Sequence, residues 1–153
     1  MSMPSKKTIN SSHIETLLSC PFVHHVRRRC EKFRINFSLS LSSDCLCISD
    51  GDTTDGFFDP PTRHSPGTLC LSVAGKELSE IYHTLAHEFC HLEQWVRDDA
   101  LWVKWMKRSS RKSTLALEKL TEEEAIEMLK KWNLFDESME IRKTKYLRRL
   151  ENL

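Results

Sequence analysis

Leu85-Ala86-His87-Glu88-Phe89-Cys90-His91-Leu92 is the stretch on which the reading of this chain turns. It sits within a longer apolar rhythm of Leu78, Ile81, Tyr82, Leu85, Phe89, Leu92 and Val96. That spacing follows the helical period of about 3.6 residues and predicts a helix over residues 76–96. Residues four apart share a helix face, so His87 and His91 aim both imidazoles at one point while Glu88 projects beside them. Shuffling a chain of this His and Glu content would produce a His-Glu-x-x-His pentapeptide only about 0.03 times, so the pattern asks for a chemical reading. Two imidazoles, a third ligand and an open position make a hydrolytic zinc site. There the bound water acidifies toward a pKa of about 7 and a nearby carboxylate takes its proton. The expected metal ligands are therefore His87 and His91, the expected cofactor is zinc, and the expected catalytic base is Glu88.

A third ligand must come from elsewhere. No histidine follows His91, which excludes a downstream third histidine and leaves a carboxylate. Glu137 and Glu140 are the candidates, three residues apart on an expected final helix that can fold back against the motif helix. Glu140, next to Ile141, is the better placed to face inward, where a carboxylate needs a partner. Glu118, Glu123, Glu124 and Glu127 read as solvent-facing members of a charged helix, opened by a capping box at Thr121-Glu122-Glu123-Glu124. Glu93 lies too close to His91 to return as a ligand. His83, one turn before His87, reads as a partner packed near the site. Tyr146 is a conceivable oxyanion donor from the last helix, and Cys90 points off the ligand face toward the core.

A chain of 153 residues suits one domain, 1–153, with a helical and strand part over 1–50 and a metal-site core over 51–150. A net charge of +1 leaves no global field demanding nucleic acid or an anionic membrane. The polar N-terminus and the lack of any apolar run of about 20 residues predict a cytoplasmic protein, with its six cysteines as free thiols. Cys45 and Cys47 have one residue between them, and no second Cys pair with suitable spacing follows, so they make a poor metal site. Residues 11–35 read as helical, interrupted at Pro21, with Arg27-Arg28-Arg29 as a solvated face. Residues 35–48 alternate apolar and polar as a half-buried strand does, residues 49–56 are dense in turn formers, and 68–73 read as a strand. Because that strand leads straight into the motif helix, its edge should lie beside the site, where it could hold an extended peptide. Helical spacing returns over 136–150. Trp95, Trp102 and Trp105 interleave with Lys and Arg, the best nucleic-acid-binding pattern in the chain, set against the ordinary reading of tryptophans buried at helical spacing.

The segment from Ile81 to Trp95, Ile-Tyr-His-Thr-Leu-Ala-His-Glu-Phe-Cys-His-Leu-Glu-Gln-Trp, resembles the zincin metallopeptidases. Among them it is most similar to small single-domain proteins of bacteria and their phages, of the ImmA/IrrE-like kind, over residues 50–150. The resemblance implies an α+β fold: a minimal zincin-like domain with a small, mainly antiparallel sheet packed on the His-Glu-x-x-His helix, and additional helices. Gly56-Phe57-Phe58-Asp59-Pro60 and Thr68-Leu69-Cys70-Leu71 fit its paired strands, and a Glu on a following helix completes the site. It implies a zinc metallopeptidase, a hydrolase acting on a protein or peptide substrate. The basic run Arg142-Lys143 after Glu140 departs from the small and acidic residues usual there. The alternative function is a DNA- or protein-binding module on the same scaffold with little proteolysis.

Overall fold

The computed structural model describes residues 11–41, 45–46 and 53–153. The expected polar N-terminus, Cys47, the end of the expected strand at Ile48 and the first half of the expected turn, residues 49–52, lie outside them. The chain opens with α1 (Ser11–Ser19) and α2 (Pro21–Lys32). Pro21 occupies the first turn of α2, where its missing N–H is no loss. Phe22, Val23, Val26 and Cys30 of α2 enter the core, while Arg27 and Arg28 stay exposed, as expected of a solvated face. Arg29 is held differently: it grips Glu93 through two hydrogen bonds of 2.7 and 2.8 Å.

The fold is α+β. Strands β1 (Ile35–Ser40), β4 (Gly56–Asp59) and β5 (Gly67–Ser72) form a sheet in the order β1-β5-β4, and β2 (Cys45–Leu46) pairs with β3 (Thr53–Thr54). The three-stranded sheet is mixed, which corrects the expectation of a mainly antiparallel one. β5 runs parallel to β1, with Ile35 opposite Gly67 and Ser40 opposite Ser72, and antiparallel to β4, with Gly56 opposite Leu71. The cause is the composition of β5. Leu69, Cys70, Leu71 and Ser72 are buried on both faces, so this strand takes the centre and separates β1 from β4. A central strand has no free edge, so the outer strand near the motif helix is β4, not the 68–73 strand.

Helix α3 (Leu78–Val96) carries the motif and packs between the sheet, through β4 and β5, and α5 (Arg111–Lys131). Leu85, Ala86, Phe89 and Leu92 of α3 meet a core built from Phe58, Leu69 and Leu71 of the sheet and Leu117, Ala125, Ile126 and Leu129 of α5. The short α4 (Ala100–Lys107) begins at Asp99, whose carboxylate accepts from the Leu101 N–H. Helix α5 begins ten residues before its expected box. Ser110 and Ser113 cap it reciprocally, and Thr121 lies mid-helix, its hydroxyl donating to the Leu117 carbonyl. A Thr-x-x-Glu pattern cannot by itself tell a helix start from a helix interior. Helix α6 (Glu137–Glu151) follows Asp136 and anchors through buried Met139.

The tryptophans turn inward. Trp102 is buried, with its ring 5.9 Å from Phe58, 5.5 Å from His91 and 5.5 Å from Trp105, while Lys104, Lys107, Arg108, Arg111 and Lys112 are exposed. Cys20, Cys30 and Cys90 are buried free thiols, and Cys70 is buried too. No helix among the described residues is long and apolar enough to cross a membrane.

Where β4 meets α3 the packing leaves no room for a side chain at Gly56. A Cβ there would lie 2.7 Å from Thr84 Cγ2 and 3.1 Å from the Cys70 carbonyl oxygen. Thr84 is β-branched and on a helix, so its rotamer cannot readily yield. Gly56→Ala is expected to cost about 1–3 kcal/mol in urea unfolding, as overpacked cores do. Adding Thr84→Ser, which removes the offending methyl, should restore part of that loss; an unchanged midpoint in Gly56→Ala contradicts the packing.

Candidate metal centre

Three turns of α3 raise His83, His87 and His91 along one face, and α5 lies opposite with Glu118 and Glu122 one turn apart. The two sets interlock. His87 Nδ1 is 2.9 Å from Glu122 Oε2, and its Nε2 is 2.8 Å from Glu118 Oε2. His91 Nε2 is 3.4 Å from Glu118 Oε1, and His83 Nε2 is 3.2 Å from Glu122 Oε1. One Nε2 or Nδ1 atom each from His87 and His91 and one Glu118 oxygen all lie within 4.8 Å of one another. The two rings stand nearly perpendicular, 4.9 Å apart.

The hydrogen bonds behind the rings decide which nitrogen faces the site. The Thr121 hydroxyl spends its proton on the Leu117 carbonyl, so toward fully buried Gln94 it can only accept, and it does so from Gln94 Nε2 at 3.0 Å. Gln94 Oε1 must then be the atom 2.9 Å from His91 Nδ1, which makes Nδ1 the protonated nitrogen and leaves a lone pair on Nε2. His87 is treated likewise. Its Nδ1 meets the Glu122 carboxylate, an acceptor only, so Nδ1 donates and Nε2 is the open nitrogen. Both rings thus present Nε2 to Glu118.

Such a convergence fits a cation. Two imidazole lone pairs and a carboxylate in one buried spot repel unless something positive sits among them, and two His with one Glu is a donor set of hydrolytic zinc sites. Buried Glu118 Oε2 makes no hydrogen bond among the described residues. His87 Nε2 is close to it but off the line along which a ring N–H donates. In the metal-free arrangement burial opposes the charge on His87, yet the neighbouring Glu118 and Glu122 carboxylates outweigh it and raise its pKa well above the usual value. Burial likewise disfavours the Glu118 anion, but the charge on His87 and contacts with both histidines reverse that and hold its pKa low.

Glu88 stands beside this group and lines a cleft of about 300 Å³ with His83, His87, Glu122 and Tyr146. Burial pushes its pKa up, His87 and His91 pull against that, and Glu118 and Asp59 reinforce it. The Tyr146 ring packs edge-on to His87 with centroids 5.7 Å apart. Burial, with the Glu118 charge behind it, keeps the phenol protonated far above its usual range. The cleft is bounded by Thr54, Asp55 and Gly56 at the start of β4 and by the inner face of α6.

His87, His91 and Glu88 therefore meet as the motif implies, and His83 packs against the site through Glu122. Glu140 does not join them. The carboxylate beside the histidines is Glu118, and its burial corrects the expectation that it faces solvent. Glu140 is half-buried on the first turn of α6 and Glu137 is exposed. The mistaken start of α5 at Thr121 hid the answer. Once the helix begins at Arg111, Leu117, Thr121 and Ala125 form an inward stripe, and Glu118 and Glu122 border it. Glu93 lies off the ligand face, bound to Arg29. No family model matches the chain, and neither a curated protein nor a solved structure does.

Removing the carboxylate should separate the two candidate ligands. Metal content by elemental analysis is expected to collapse in Glu118→Gln and to persist in Glu140→Gln. Glu122→Gln and Gln94→Leu, which disturb ring orientation but no ligand, should weaken binding about 10–100-fold in a chelator competition titration. Loss in Glu140→Gln with retention in Glu118→Gln refutes the assignment.

Proposed function

We propose that this chain is a zinc-dependent metallopeptidase of the zincin-like kind, with His87, His91 and Glu118 as ligands and Glu88 as general base. The observation that carries the reading is the pair of oriented rings. Glu122 and Gln94 hold Nδ1 of each imidazole so that both Nε2 atoms face one carboxylate, with Glu88 on the same cleft. Held by these residues, zinc would supply a Lewis acid for the peptide carbonyl and would acidify the attacking water.

The protein's own groups do the rest. Glu88, its carboxyl raised by burial, takes the proton of the water and delivers it to the departing amine. Tyr146, protonated and against His87, is suited to donate toward the carbonyl oxygen as it gains charge. The outer strand β4 runs along α3 at the edge of the cleft and offers backbone groups to an extended peptide. The α+β arrangement, a small sheet laid on the motif helix, supports the zincin-like reading. The buried free thiols Cys20, Cys30 and Cys90 suit a reducing, cytoplasmic compartment. The rival reading as a nucleic-acid-binding module loses much of its aromatic support, because Trp102 is buried and Trp95 and Trp105 are half-buried against the core.

Glu88→Gln should keep its metal and lose about 10²–10⁴-fold in peptide hydrolysis, measured on fluorescently labelled casein with zinc-loaded protein. Cleavage at the wild-type rate by that variant would sink the mechanism. Tyr146→Phe should lower kcat with little change in KM, since its hydroxyl acts on charge that develops only in the transition state.

A further inference from the structure

One wall of the cleft is unlike the others. Arg142, Lys145, Tyr146 and Arg149 of α6 all line it, and the spacing of three, four and seven from Arg142 puts them on one helix face. Lys145 and Arg149 are exposed and form no ion pair among the described residues. Arg142 is half-buried, and its guanidinium donates to Ser79 Oγ at 2.6 Å, Ser138 Oγ at 3.1 Å and His83 Nδ1 at 3.4 Å; the exposed Asp136 carboxylate reaches it through Ser138, and no carboxylate among the described residues pairs with it directly. A partly buried cation normally has a carboxylate opposite it. The acids along the cleft do not fill that role. Asp55 is held by Lys76 at 2.9 Å, Glu122 is taken up by His83 and His87, Glu88 belongs to the reaction, and Glu80 sits on the first turn of α3.

We infer that the Arg142–Lys145–Arg149 face of α6 is a subsite for acidic side chains of a peptide lying in the cleft. The inference rests on the metallopeptidase reading for what happens to that peptide, but not for its binding. The dimensions select among carboxylates. Arg142 to Arg149 spans seven residues, about 10 Å along the helix axis. One terminal carboxylate cannot meet all three cations, whereas alternate side chains of an extended peptide, about 6.6 Å apart, can meet them in succession. The occupant is therefore a peptide with two or more Asp or Glu near the bond to be cut. With Tyr146 on the same face, α6 both selects the substrate and reaches the reacting carbonyl.

The test uses zinc-loaded Glu88→Gln, which binds without cutting, and fluorescence anisotropy. The probes are labelled, C-terminally amidated decapeptides alternating Ala with Glu, with Gln or with Lys, the free-acid form of the Gln peptide, and an oligothymidylate decamer. The Glu peptide is expected to bind about tenfold tighter than the Gln peptide, with salt weakening it. Lys145→Glu/Arg149→Glu should abolish the preference. Lys104→Glu/Lys107→Glu, an equal charge reversal on α4 outside the cleft, should leave it intact. Equal affinity for the Glu and Gln peptides, or equal losses in the two double variants, overturns the subsite. Tighter binding of the free-acid Gln peptide than of the amidated Glu peptide would assign the face to a chain terminus instead. Tighter oligothymidylate binding, lost in the α6 variant, would assign it to nucleic acid. Elemental analysis of the same samples keeps the two readings apart. A Glu preference without zinc removes the hydrolase and leaves the subsite, and zinc without a preference does the reverse.

Discussion

The contact between α3 and α5 is where this fold takes its largest risk. Helix pairs in a small domain usually seal with apolar side chains, yet here two imidazoles face two carboxylates across the seam, with a third histidine beside them. Buried charges are costly unless every partner is supplied, and a half-satisfied buried network is worse than an apolar one. The molecule meets that cost in layers. Gln94 and Thr121 bind one ring from behind, Glu122 binds the other, and Arg97 secures Glu124 at the outer end of the same seam at 2.7 Å. What remains without a hydrogen bond among the buried side-chain atoms of the described residues is Glu118 Oε2, at the meeting point of the two Nε2 atoms, and His83 Nε2 beside it.

The rest of the architecture serves that seam. The apolar β5 takes the middle of the sheet and hands the chain directly to α3, so the motif helix lies on the sheet with Leu85 and Phe89 in the core and its histidines turned toward α5. Gly56 lets β4 close against Thr84, which brings the outer strand to the rim of the cleft. Helix α6 returns across the open side, fastened by Met139 and by the Ser79, Ser138 and Arg142 contacts. It thereby sets Tyr146 against His87. A packed seam with a separately anchored helix over it leaves the cleft between them.

Much of this is legible in the residues, and the misses have identifiable causes. The motif helix, the break at Pro21, the strand over 67–72 and the final helix follow from local periodicity and punctuation, which depend on neighbours a few positions away. The strand direction in the sheet was not legible, because pairing joins Ile35 to Gly67 across more than thirty residues of chain. The tryptophans at 95, 102 and 105 were ambiguous for a similar reason. A basic residue beside a tryptophan looks the same whether the ring stacks on a base or, as here, on Phe58 and His91.

By itself the sequence determined that His87 and His91 share a helix face with Glu88 between them, because four residues make about one helical turn wherever the helix is placed. Tertiary structure alone decided which carboxylate meets them. Glu118 and Glu140 both lie on helices downstream, and nothing local distinguishes them. The choice depends on where α5 begins, on the apolar stripe that rolls Glu118 and Glu122 toward α3, and on the Gln94–Thr121 contact that fixes the rotation of one helix against the other. Each of these is a packing decision between segments far apart in the chain, made by the burial of Leu117, Thr121 and Ala125 rather than by any spacing within the motif.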